Sequence, residues 1–278
     1  MIKYLRTLLI SSLLPVLSAT ANAAEHRLIT TDANATNLVV SLGLIEQLVA
    51  IDVTSRLPAG AESLPNIGYH RTLSAEGLLS LNPTTVLGSN HMGPPETVAA
   101  LKQSGVQLLQ LADAKSTAQL RSNIEQAALA LDEQPRGKAV LTQLDTLEAQ
   151  LNKFPLSEHK IAFLLAMDST KLRLAGKGTA GHALIEALSA DNVANYDNYR
   201  NVSAESLLTM APTIILVAGR QQQTAVADLL AANSIVQHTP AGRQQQIFAV
   251  DSGALVAGLS LAAIEEARRI QTLVVEAQ

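Results

Sequence analysis

From residue 27 onward, short apolar runs alternate with longer stretches in which apolar residues recur at helical spacing. That alternation predicts an α/β fold. Residues 27–30 and 48–53 read as strands around a helix over 35–42, and 84–88 and 106–111 continue the strands around a helix over 95–104. Between Thr117 and Phe154 the strand signal stops. Helix formers fill this segment, broken only at Gln134-Pro135-Arg136-Gly137, and Pro135 suits the first turn of a second helix, where its missing N–H costs nothing. Leu141, Leu144, Leu147 and Leu151 give that helix one apolar stripe. About 19 residues at about 1.5 Å each would span roughly 28 Å, enough to bridge two lobes. Strands then resume at 159–166, 171–174, 213–217 and 246–250.

The chain also repeats itself. Residues 71–87 lie over 200–216 without a gap, at an offset of 129, and share Ser-Ala-Glu, a Leu pair and Pro-Thr in register. Each copy reads as a Ser N-cap, an acid in the first helical turn, a Pro that stops the helix, and a buried strand. The expectation is two similar α/β lobes joined by a long bridging helix, with a ligand cleft between them. The N-terminal lobe would cover 24–133, the bridging helix 134–156 and the C-terminal lobe 157–278.

Residues 1–23 stand outside this pattern. Lys3 and Arg6 precede a mostly apolar run, and Ala21-Asn22-Ala23 offers small residues to a signal peptidase, so cleavage is expected after Ala23. The run is too short for a comfortable membrane span, and Pro15 interrupts it. Removal takes away two cations and no acid, which makes a chain of formal charge −4 more negative by two. An acidic chain argues against binding nucleic acid through phosphate neutralisation. There is no cysteine, hence no disulfide and no lipid-anchor thiol, and a free periplasmic monomer is expected.

Candidate chemistry gathers around Ile67-Gly68-Tyr69-His70-Arg71. Tyr69 and Arg71 are two apart, so in an extended segment they emerge on one side, with His70 on the other. A guanidinium beside a phenol favours the phenolate, a hard anionic ligand of the kind that holds ferric haem in catalase. A loop tyrosine can equally be a packing residue with a satisfied hydroxyl.

The segment Gly68-Tyr69-x-Arg71-x-Leu73-Ser74-x-Glu76-Gly77-x-Leu79-Ser80-Leu81-x-Pro83 resembles the signature of periplasmic haem-binding proteins that feed haem ABC importers. The opening Arg27-Leu28-Ile29-Thr30, the turn Gly93-Pro94-Pro95-Glu96 and the segment Gly176-Lys177-Gly178-Thr179-Ala180 resemble that family too, so the likeness covers essentially the whole mature chain. It implies the helix-bridged binding-protein fold and haem b (hemin) as transported ligand. Tyr69 would ligate the iron, and Arg71 would stabilise it. Glu76 and Glu205, at matching places in the two repeats, would dock onto arginines of an inner-membrane ABC permease that works with its ATPase. Each glutamate also complements its own helix dipole.

The far side of the cleft departs from the pattern. Some relatives carry a His in the loop after the first C-lobe strand, where this chain reads Phe163-Leu164-Leu165-Ala166-Met167-Asp168-Ser169. Met167 could supply a thioether there, or simply pack. His70 and His91 are alternatives, and Arg173, Lys177 and Arg220 could meet haem propionates or be solvated surface charges. Three rivals stand beside haem: cobalamin or a ferric siderophore in the same fold, a nucleotide-dependent oxidoreductase and a metal-ion carrier. Gly176-Lys177-Gly178-Thr179-Ala180-Gly181 fits G-x-G-x-x-G but lies away from the first strand and lacks an acid at a convincing strand end. No His-x-x-His pair or acid cluster builds a metal site. No Gly-x-Ser-x-Gly elbow supports a hydrolase, and a carrier rather than an enzyme is expected.

Overall fold

The computed structural model describes residues 26–168 and 171–276. The expected signal sequence lies outside the described residues. The N-terminal sheet contains β1 (Leu28–Thr30), β2 (Leu48–Ala50), β3 (Thr85–Ser89) and β4 (Gln107–Leu111), all parallel in the order β2-β1-β3-β4. Every residue of β3 is buried, which a central parallel strand covered on both faces requires. Helices α1 (Ala33–Ser41), α2 (Ala75–Ser80), α3 (Pro95–Gln103) and α4 (Thr117–Ala130) flank it. Asp32 caps α1: its buried carboxylate accepts N–H groups of Ala35 at 2.9 Å and Ser89 at 2.6 Å. Burial nonetheless pushes that carboxyl above its ordinary range, against the pull of those two bonds.

The second sheet holds β5 (Lys160–Asp168), β6 (Lys171–Ala175), β7 (Asp191–Asn192), β8 (Tyr199–Val202), β9 (Ile214–Gly219) and β10 (Ile247–Val250). Its path is β10-β9-β5-β6-β8; β10, β9 and β5 run parallel, β6 is antiparallel to both its neighbours β5 and β8, and β7 pairs with the start of β5. Helices α6 (Ala180–Ala187), α7 (Ala204–Met210), α8 (Ala225–Ala232) and α9 (Pro240–Arg243) belong to this half. β7 and β8 escape the sequence pattern because Asp191-Asn192 and Tyr199-Arg200-Asn201-Val202 hold no apolar run.

Between the sheets runs α5 (Gln134–Leu151), shorter than the expected 134–156 because the chain leaves the helix at Asn152, three residues before Pro155. Arg136 at its start donates to the carbonyls of Leu42 and Gly43, which closes the end of α1. At its other end the buried Gln271 amide donates to the carbonyls of Leu151 and Phe154, both at 2.7 Å. Gln271 sits on α10 (Leu261–Glu276), which packs along α5 and reaches α1 and α6.

The repeat survives in atomic detail. Ser74 and Ser203 each accept an N–H three residues on at 3.2 Å, from Gly77 and Ser206. Past each helix the backbone turns left-handed at matching places, Asn82 (φ 49°) and Ala211 (φ 50°). Two residues later, the Thr84 and Thr213 hydroxyls accept the N–H of Arg27 and Lys160, both at 2.9 Å, at the mouths of β1 and β5. The likeness ends upstream, where Arg71 is in a turn and Arg200 in a strand.

Each sheet has a small apolar cluster on its outer face, beneath α2 and α3 in one lobe and α7 to α9 in the other. The main cluster is common to both lobes: Leu28, Ile124, Leu144, Phe163, Leu216 and Ile264 belong to it. A segment after β10 also straps the lobes together. The Asn34 amide on α1 donates to the carbonyls of Ala257 (3.1 Å) and Leu259 (3.0 Å), and the Leu259 N–H donates to Ala114 (2.7 Å). Gly258 has φ 105°, and a Cβ there would strike the Ala114 backbone.

Candidate functional site

The cleft has one face from each lobe and a floor from the strap. The loops after β2 and before α2 form the first face; the ends of β5 and β9, with Tyr199 of β8, form the second. A cavity of about 610 Å³ is lined by Val53, Phe163, Leu165, Met167 and Val256 on its apolar side. A second, of about 460 Å³, is lined by more polar groups, among them Arg71, His91, Asp113, Lys115 and Thr179. Tyr69, His70, Tyr199, Leu255 and Val256 line both, so the two cavities are chambers of one cleft meeting at Tyr69.

The Tyr69 loop is fixed by backbone bonds on both flanks. Val53 N–H donates to Gly68 O, and Gly93 N–H to His70 O. Gly68 takes φ 86° while its N–H donates to Asn66 Oδ1 at 2.8 Å, a conformation side chains rarely adopt. Tyr69 to Thr72 then forms a turn, closed by Thr72 N–H on Tyr69 O at 2.8 Å. That turn corrects the extended geometry expected for this segment. His70 does not point away from Tyr69: their rings lie 4.2 Å apart at 46°. Tyr69 and Arg71 line the polar chamber together, and Tyr69 is 43% exposed.

His70 is buried, with Nδ1 at 3.9 Å from Asp52 Oδ2 and without a hydrogen-bond partner among the described residues. Asp52, fully buried, is occupied by the hydroxyls of Thr54 and Ser55, which donate to it at 2.8 and 2.6 Å. Burial pushes the Tyr199 phenol above its ordinary value, although Gly181 N–H, the Thr179 hydroxyl and Arg173 all favour its anion.

The remaining candidates fall as follows. Met167 lies at the end of β5, 43% exposed and facing the apolar chamber, and its carbonyl accepts from Arg220 Nε at 2.7 Å. Arg220 lines that chamber too. His91 lines the polar chamber, its Nε2 2.7 Å from Asp113 Oδ2. Arg173 is absent from the lining residues of both chambers; its guanidinium lies over the Tyr199 ring, 5.3 Å from the centroid. Lys177 pairs through its backbone with Asp197 instead. Glu76 and Glu205 stand exposed in the first turns of α2 and α7. The carboxyl of Glu205 is held below its usual range by backbone and Ser203 hydrogen bonding. Sequence reasoning missed Val53, Lys115, Tyr199 and the floor at residues 252–256. Of these only Tyr199 carried a signal, as one of three tyrosines after the first 23 residues.

Among the described residues no group of three His, Cys, Asp or Glu could hold a bare metal ion. No helix among them is long and apolar enough to cross a membrane. Two α/β lobes, a helix between them and a solvent-open cleft define a two-lobed solute-binding protein. Residues 28–254 match the periplasmic binding protein family, and the chain belongs to it. Among solved structures it is similar to the periplasmic heme binding protein HutB of Vibrio cholerae, with 35% identity and a TM-score of 0.79 over 90% of this chain and 99% of that one. It is likewise similar to the periplasmic heme-binding protein RhuT from Roseiflexus sp. RS-1, with 30% identity and a TM-score of 0.79 over 91% and 98% of the two chains. A curated relative, the vitamin B12-binding protein of Vibrio vulnificus (strain YJ016), is 24% identical over 75% of this chain and 77% of its own.

Proposed function

We propose that this protein captures hemin between its lobes in the periplasm and delivers it to an inner-membrane ABC permease, acting as a carrier rather than an enzyme. The observation that carries the reading is Tyr69, a solvent-facing phenol at the junction of two chambers, with Arg71 on the polar side. Iron(III) prefers such an anionic oxygen. Tyr199, the other phenol at the junction, is disfavoured as an anion by burial, which counts against it as the ligand. The apolar chamber suits a macrocycle, since ligand sites are concave and mostly apolar. The names of the relatives at 35% and 30% identity support haem. Met167 and His91 are the candidates for contacts on the two sides of the ring. Export would depend on cleavage after Ala23, and the carrier would work as a monomer.

In this reading Glu76 and Glu205 face outward on matching helices and meet basic residues of the permease. Docking at both lobes strains the cleft and weakens the iron bond. Cobalamin is the second reading, favoured by the name of the curated relative; a ferric siderophore would be a third ligand for the same cleft. Absorbance titration separates them. Hemin should give an intense Soret band that shifts or weakens in Tyr69→Ala, whereas cyanocobalamin should leave the protein unchanged. Saturable cobalamin binding, or hemin spectra identical in the two proteins, would overturn the proposal.

A further inference from the structure

Burial counts against Tyr199 as an iron ligand, yet the residue stands at the centre of the cleft. Among the described residues, three aromatic rings line both chambers: Tyr69 and His70 from the N-terminal lobe, and Tyr199 from the C-terminal one. Phe163, the other ring on the C-terminal face, is 1% exposed and offers almost no surface. Tyr199 is fixed on several sides. It opens β8, where it pairs with Ala175 of β6. Its hydroxyl is taken up by Gly181 N–H and the Thr179 side chain at the start of α6. The Arg173 guanidinium lies over the ring, 5.3 Å from the centroid, and lines neither chamber. With its hydroxyl and one face engaged, Tyr199 turns the rest of a fixed ring towards the cleft. A phenol placed to bond a polar ligand would keep its hydroxyl free.

Resting on the haem reading, we propose that Tyr199 is the platform against which the flat macrocycle packs, across the cleft from Tyr69, and that the cleft therefore takes iron-free porphyrin as well as hemin. Aromatic rings attract one another in offset-stacked and edge-on arrangements beyond what the buried area alone gives. A porphyrin is flat and aromatic with or without iron, so its ring meets Tyr199 in the same way in both forms. Iron adds the bond to Tyr69; the platform does not need it. Tyr199 is thus a positioning residue, which sets the plane of the ring so that iron, when present, faces Tyr69.

The test compares hemin with protoporphyrin IX on the mature full-length protein, by Soret absorbance and, for protoporphyrin, by fluorescence. Wild type should bind both saturably. Tyr199→Leu removes the ring and should weaken both by the same factor, roughly threefold to tenfold, the scale of one aromatic contact, whereas Tyr199→Phe keeps the ring and should restore both to within about twofold. A wild type that takes hemin and refuses protoporphyrin overturns the inference however the variants fold, because recognition then runs through iron alone. Tyr199→Leu binding both compounds as wild type does also overturns it. So does Tyr199→Phe binding as weakly as Tyr199→Leu, which would assign the effect to the hydroxyl's hold on α6. In each of these cases hemin still binds the wild type and the haem reading stands. Failure of wild type to bind hemin would instead remove the haem reading itself.

Discussion

Asn34 offers the sharpest test of how the lobes are held. Its amide donates two hydrogen bonds, to Ala257 and Leu259, and thereby ties α1 of one lobe to the strap that follows β10 of the other. Asn34→Ala removes both donors and leaves two carbonyls to find water in a half-buried position. A net contribution of about 1 kcal/mol per bond predicts a loss of about 2 kcal/mol. For a chain of this size each kcal/mol lowers Tm by about 2 to 4 °C, so a fall of about 4 to 8 °C is expected. Asn34→Asp should fall at least as far, because it sets a carboxylate against the same two carbonyls. Thermal unfolding followed by circular dichroism reads both variants. If neither moves Tm beyond replicate error, the strap is not held by this side chain and the reasoning fails.

Three further outcomes follow from the geometry. Ala211 holds a left-handed conformation without a glycine's freedom, so Ala211→Gly should stabilise the protein by about 0.5 to 1 kcal/mol, read by urea unfolding; a loss would refute it. Reversing charge at both Glu76 and Glu205 should abolish haem uptake in cells while hemin titration of the purified protein stays normal; unimpaired uptake would sink the docking proposal. Burial raises the phenols of Tyr196 and Tyr199, so both should ionise above the ordinary value of about 10 in an alkaline absorbance titration, with Tyr199→Phe removing one late step. The unfolded chain ionises first, so the stability these neutral phenols give is complete below about pH 10 and is lost as pH rises through the folded values.

How far the chain could be read depended on whether the information was local. The Ser cap, first-turn acid, Pro and buried strand of each repeat lie within seventeen consecutive residues, and the capped helices and strands appear where the sequence puts them. The place of Tyr69 in the cleft was legible because its motif is contiguous. His70 was misjudged because one turn, closed by Thr72, reverses the alternation that an extended chain would show. Lys115 and Val256 join the cleft through contacts between residues distant in sequence. Neither carries periodicity or a motif, and no local rule foretells that the backbone near Gly258 would pair with Ala114.

The apolar cluster common to both lobes has a thermodynamic consequence. Leu28 and Ile124 on one side and Phe163 and Ile264 on the other belong to a single packed body, so neither lobe can melt without stripping its neighbour of cover. Unfolding should then be one cooperative transition rather than two steps. Any solute held in the cleft stabilises that whole transition by RT ln(1 + [L]/Kd). A melting curve of this protein therefore measures occupancy of the cleft, even for a ligand that has no colour.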